Sequence, residues 1–174
     1  MQPRTITNNE IVLAAGDTIQ SRTDTRGVIT HANPTFARIA GYSVEELVGS
    51  PHNIVRHPHM PRSAYYVMWE MIQRGEEFFG FVKNRAKNGD HYWVFTRVNA
   101  RRDASGTING YMSIRVAPPK REVLAEWDAV YAQVCAVEAA LPRDQQCEAG
   151  AKAIVDYLKS RGHNSLTSYV MSQV

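Results

Sequence analysis

The chain has 174 residues, 44% hydrophobic and 21% charged, which is the balance of a globular protein and not of a disordered one. Twenty basic against seventeen acidic residues leave a net charge of +3 with no dense basic run, so the electrostatic footprint of a nucleic-acid binder is missing. No apolar run, Ile11–Ala15 included, approaches the length of a membrane span. No secretory apolar region follows Met1, and Cys135 and Cys147 suggest neither a disulfide framework nor a CxxC site. The expectation is a cytoplasmic protein with free thiols: one domain plus a modest extension.

Residues 1–17 read as an N-terminal cap with one short apolar patch. Strands are expected over Thr18–Thr23 and Val28–Ala32, around a turn in which Gly27 supplies positive φ. Asn33 followed by Pro34 marks a helix start, and that helix turns Phe36, Ile39 and Ala40 to one face before ending at Gly41. Ser43 with Glu46 gives a capping-box pattern for a second short helix, closed by Gly49. A third helix, Ser63–Arg74, carries Tyr66, Met68, Trp69 and Ile72 at helical spacing and stops at Gly75. Three strands follow, Phe79–Ala86, His91–Arg101 and Thr107–Val116, joined by connectors that each hold Gly with Asn or Asp.

This order suits an α+β fold, with one five-stranded antiparallel sheet and short helices crossing a single face. The helices and the inner sheet face would enclose a pocket for a small ligand. Pro118-Pro119 marks a boundary, so the division expected is 1–17, 18–117 and a helical extension over 118–174.

Between the second and third helices lies PHNIVRHPHMP, residues 51–61, with three histidines, one arginine and three prolines. His52, His57 and His59 suggest a metal site, yet no cysteine or nearby acid completes a coordination set. A cofactor clamp and a stiff surface loop are the other readings.

The stretch THANPTFARIAGYSVEELVG resembles the opening of a PAS domain. PHNIVRHPHMP, MW, GEEFFGFVKNRAKNGDHYWV and GYMSIR together resemble one branch, the FAD-binding PAS domains of bacterial aerotaxis receptors and related redox sensors. The similarity spans about residues 18–117. It implies that Arg56 and His57, with Asn53 as a helper, retain a non-covalent FAD; a guanidinium fork suits pyrophosphate oxygens, and the prolines keep the segment stiff. It also implies that the Asn84 amide pairs with the pyrimidine edge of the flavin, where the plain alternative is an asparagine bonding its own backbone. Trp69 is either core or flavin-packing, Arg115 faces flavin or solvent, and N-capping alone explains Asn33. Two positions depart from the branch: His59 stands where an acid is found, and Phe78 stands where a tryptophan is common.

Catalysis has little support, since no GxSxG, HExxH, phosphate loop or GxGxxG is present. The region comparable to the reactive NCRF-like helix of light-sensing PAS domains has no cysteine, which leaves redox or ligand sensing. In the extension, Val123, Trp127, Val130, Val134, Val137 and Leu141 recur at heptad-like spacing up to Pro142. A second helix is expected over Asp144–Ser160 and a short third segment over Ser165–Val174. The stripe covers the sheet or forms a homodimer.

The expected function is a non-enzymatic sensor reporting redox state or oxygen to a chemoreceptor, a kinase or a separate output domain. A haem-binding PAS gas sensor and a ligand-free PAS interaction module are the alternatives.

Overall fold

A computed structural model describes residues 5–173. Strands β1 (Thr18–Thr23), β2 (Ile29–Ala32), β3 (Phe78–Arg85), β4 (His91–Arg102) and β5 (Ile108–Val116) form one antiparallel sheet in the order β2-β1-β5-β4-β3. Helices α1 (Pro34–Ala40) and α2 (Val44–Leu47), a single 3-10 turn over His52–Val55 and helix α3 (Arg62–Gln73) lie between β2 and β3. Three further helices follow the sheet: α4 (Glu122–Ala139), α5 (Gln146–Ser160) and α6 (Leu166–Ser172).

Local chemistry explains the short elements. The Asn33 side-chain oxygen accepts from the Phe36 and Gln20 amides at 3.0 Å each, and its amide nitrogen donates to the Thr18 carbonyl at 2.8 Å. One residue thus caps α1 and fastens it to β1. Ser43 and Glu46 exchange both bonds of a capping box. Gly27 turns the first hairpin at φ 82°, and Gly41 ends α1 at φ 72°, conformations that cost a side-chain-bearing residue energy.

Alternation along the strands splits the sheet into two unlike faces. One face carries Ser21, Asn84, Thr96, Ser113 and Arg115 toward α1–α3 and a cavity. Phe81 and Trp93 on the other face join Trp127, Val130, Tyr131 and Val134 of α4, with Ile154, Leu158, Tyr169 and Val170 beyond. The heptad-like stripe is therefore buried against the sheet of its own chain. It ends sooner than the pattern suggests: Val137 is exposed and α4 stops at Ala139, three residues ahead of Pro142. The buried residue there is Glu138. Helix α5 begins at Gln146, two residues later than expected. The expected third segment forms as α6, and its last residue, Val174, lies outside the described residues.

The lead-in segment is also fixed. Thr7 donates to the Gly89 carbonyl and Ile11 to that of His91, Leu13 is buried, and Glu10 pairs with Arg121 at 2.7 Å. No helix among the described residues is long and apolar enough to cross a membrane.

Candidate functional site

A cavity of about 320 Å³ lies between the sheet and the helices, at the lower end of the range for small-molecule sites. The sheet contributes Ser21, Asn84, Thr96 and Arg115; the histidine-rich segment contributes His52, Asn53 and Arg56; α3 contributes Tyr65, Met68 and Trp69.

Arg115 sits at the inner wall, 2% exposed. Its Nη2 donates to the Ser21 hydroxyl at 2.6 Å, and its guanidinium lies 4.5 Å from the Phe36 ring centroid. Its Nε and Nη1 have no protein partner, and no carboxylate pairs with it among the described residues. Burial lowers its pKa to about 10, and the Tyr92 and Tyr65 phenols oppose that shift. The group stays charged near neutral pH. A buried, uncompensated cation is costly unless a bound group satisfies it.

His52 lies 3.0 Å from the same serine hydroxyl through Nε2, and its ring stacks on Phe36. Burial, and then the charge of Arg115, pull its pKa down to about 3. The imidazole is neutral, so Ser21 can accept from Arg115 and donate to His52. The Tyr65, Tyr92 and Thr96 hydroxyls nearby are buried without partners. Burial pushes the Tyr65 phenol up to about 12 and raises that of Tyr92, so both remain protonated donors.

Arg56 is half-buried. Its Nη2 donates to the Met60 carbonyl at 3.1 Å, and its guanidinium lies 4.7 Å from the Tyr65 ring centroid. Like Arg115, it has no carboxylate partner among the described residues. Its backbone bridges to Asn84, which ties the histidine-rich segment to the free edge of β3. Asn84 is 4% exposed and faces the cavity, and no protein group among the described residues is hydrogen-bonded to its side-chain amide.

Trp69 is half-buried, with its ring edge-to-face on Tyr111 at 5.3 Å and against Gly27, where a Cβ would come within 3.1 Å of the indole. Asn53 is exposed where it lines the cavity.

The structure therefore brings Arg56, Asn53, Asn84, Trp69 and Arg115 to one cavity. Three other residues singled out in the sequence lie elsewhere. His57 is buried, but its Nδ1 accepts from the His59 amide and its ring packs against His59 and His91. Burial, followed by the charge of Lys83, lowers its pKa to about 4. Phe78 packs with Ile72, Val98 and Tyr111. Asn33 spends its amide on capping and on β1. The three histidines of the segment do not converge, and no group able to hold a metal ion occurs among the described residues.

Sequence reasoning missed the pairing of Ser21 with His52, and it missed Tyr65, Tyr92 and Thr96. Tyr65 had a signal, since Tyr65, Met68, Trp69 and Ile72 follow i, i+3, i+4, i+7, whereas Tyr66 is exposed.

The walls suit a flat, partly anionic heteroaromatic ligand. Apolar and aromatic side chains supply area, the orphaned donors supply partners for ring oxygens, and two arginines supply unneutralised charge. A flavin ring fits that description.

A sequence profile of the PAS fold matches residues 29–115. The aerotaxis receptor of Escherichia coli (strain K12) is 49% identical over 121 residues, covering 69% of this chain and 24% of that protein. A nitrogen fixation regulatory protein of Klebsiella pneumoniae is 30% identical over 95 residues, covering 55% and 19%. The chain thus spans a quarter or less of these relatives. Among solved structures, the dark state of the blue-light photoreceptor Aureochrome1 LOV superposes with a TM-score of 0.57 at 20% identity, covering 69% of this chain and 87% of that one. That likeness concerns the fold alone. With its five-stranded sheet and a match that runs from β2 into β5, the chain belongs to the PAS fold family.

Proposed function

We propose that this chain is a sensory module that binds FAD non-covalently and reports redox state or oxygen to a signalling partner. The observation that carries the reading is the buried Arg115, charged and without a carboxylate, among the orphaned Tyr65, Tyr92 and Thr96 hydroxyls. Such a wall is stable when a ligand supplies the missing acceptors. Arg56, with Asn53 beside it, would hold the pyrophosphate; Asn84 and Arg115 would meet the polar edge of the ring; Trp69 would close one side.

Bound flavin supplies reversible uptake of electrons and protons. The residues around it orient the ring and keep water away, and the amide of Asn84 can donate or accept as the ring changes. Support for a sensory role comes from the relatives, an aerotaxis receptor and a nitrogen fixation regulatory protein, of which this chain matches only a portion. The last strand, together with α4 after Pro118-Pro119, is the proposed route of output.

Freshly purified protein tests the reading. A two-banded flavin spectrum, with FAD and not FMN released on denaturation, supports it. A Soret band overturns it in favour of haem, and a colourless protein that takes up no FAD overturns it in favour of a ligand-free interaction module. The engagement of His52 with Ser21 already counts against that histidine as an axial haem ligand.

A further inference from the structure

Helix α3 begins without a cap of its own. Its N-cap position is Pro61, which offers no side-chain acceptor, and no acidic residue lies in its first turn. The missing acceptor comes from 75 residues away. Glu138, near the end of α4 and 6% exposed, accepts from the Ser63 amide at 2.7 Å through Oε1 and from the Arg62 amide at 3.0 Å through Oε2. A carboxylate is at its best on such free N–H groups, where the helix dipole also favours negative charge. No lysine or arginine side chain pairs with Glu138 among the described residues, so these amides are what keep its charge satisfied.

Two further contacts hold the same stretch. Cys135 on α4 reaches the His59 carbonyl at 3.5 Å, and Gln146 at the start of α5 accepts from Arg62 at 2.9 Å. Helix α5 approaches so closely that a Cβ on Gly150 would lie 2.4 Å from the Ser63 hydroxyl and 2.9 Å from Glu138 Oε1.

The stretch gripped in this way is the one that aims Arg56. Its guanidinium is held by the Met60 carbonyl, two residues ahead of Arg62, and by the ring of Tyr65, two residues after Ser63. One N–H of the fork is spent on Met60, and the others remain for the cavity. From these contacts we infer that Glu138 is a positioning residue for ligand binding: by fixing the first turn of α3 it fixes Met60 and Tyr65, and through them the Arg56 guanidinium. The C-terminal helices thereby tighten ligand binding, and by linkage the ligand tightens the docking of those helices by the same factor. The inference rests on the proposal that the cavity ligand is FAD.

The test is a double-mutant cycle on the full chain, titrating FAD by fluorescence into the apoprotein. With Arg56 present, Glu138→Gln should weaken FAD binding about tenfold, within the usual range of coupling between sites. In an Arg56→Met background the same substitution should change affinity less than about twofold, because the group it positions is gone. A merely structural role for Glu138 gives equal losses in both backgrounds, and that result overturns the inference, as does an unchanged affinity with Arg56 present. If Glu138→Gln does not fold, Gly150→Ala, which wedges α5 away from Ser63 while leaving the carboxylate, is expected to show the same dependence on Arg56. A wild-type chain that binds no FAD overturns the proposed function, and this inference with it.

Discussion

The two faces of the sheet have opposite characters. On the outer face the aromatic rings of Phe81, Trp93, Trp127 and Tyr131 pack on one another, and most polar groups have found partners: the Tyr131 hydroxyl donates to the Phe81 carbonyl at 2.7 Å and Lys83 pairs with Asp128 at 3.0 Å. Among the described residues, the Trp127 indole nitrogen, the Arg85 Nε and the Ser63 hydroxyl against α5 are left over away from the cavity. On the inner face, Arg115, Tyr65 and Thr96 keep buried atoms without partners on the wall of a cavity, and Tyr92, near Arg115 and Tyr65, keeps one behind it. A protein can leave one polar atom unpaired by accident of packing, but a cluster around an arginine is expensive. The difference teaches that the outer face is finished by its own chain, whereas the inner face leaves partners for the proposed ligand to supply.

That contrast makes substitutions on the two faces fail in different ways. The largest effect is expected on the outer face. Trp127 is 1% exposed and meets the rings of Phe81, Tyr131, Tyr157 and Tyr169. Trp127→Ala should cost about 3–5 kcal/mol by denaturant unfolding of the apoprotein. The folded fraction should still bind ligand, since no cavity wall is lost. A loss below about 1 kcal/mol would mean that α4 is not docked as described.

On the inner face the signs should diverge. Arg115→Met removes a buried charge and should leave the apoprotein as stable as before or about 1 kcal/mol more stable. The same change should weaken FAD binding by about tenfold or more, since a charge-assisted contact is gone. Apoprotein destabilised by several kcal/mol would show that Arg115 is structural and already satisfied.

The neutral histidines give a pH dependence. The folded-state values of His52, about 3, and His57, about 4, lie below the ordinary histidine value of 6.5. The unfolded chain therefore takes up protons that the folded chain refuses. Stability from this source is fully present above about pH 6.5 and is lost as pH falls from there toward 4 and 3. His52→Asn should remove about one proton from the slope of unfolding free energy against pH in that window. An unchanged slope would mean that His52 titrates alike in both states.

Much of the scaffold was legible because its signals are local. Asn33-Pro34, Ser43 with Glu46, and the glycine turns each act over a few residues, and the structure reproduces them. Five strands appear where alternation and turn residues put them, with ends displaced by a residue or so. The failures occur where the partner is distant in sequence. Nothing near α3 announces that Glu138 caps it, and Glu138 lies beside Val137, which the heptad pattern marks for burial but which points outward. The serine that joins Arg115 to His52 belongs to a strand 94 residues from that arginine. Of the site, the sequence pointed to Arg56, Asn53, Asn84, Trp69 and Arg115 on the cavity, and also to His57, Phe78 and Asn33, which the structure places off it. Nothing in the sequence beside Arg56 says which way the His57 ring turns. Backbone direction decides, and here it turns the His57 ring toward His59 and His91.

The central claim is that the cavity is a flavin site whose unpaired arginines meet the ligand, and one titration tests it most directly. Apoprotein would be titrated with FAD and with riboflavin, which lacks the phosphates, in the wild type and in Arg56→Ala. The account predicts one FAD per chain in the wild type, with affinity well above that for riboflavin. In a folded Arg56→Ala protein it predicts that FAD falls by about 10- to 100-fold while riboflavin changes little, because the lost group is a phosphate clamp. Full FAD affinity in folded Arg56→Ala, or no binding of either flavin by the wild type, would contradict it.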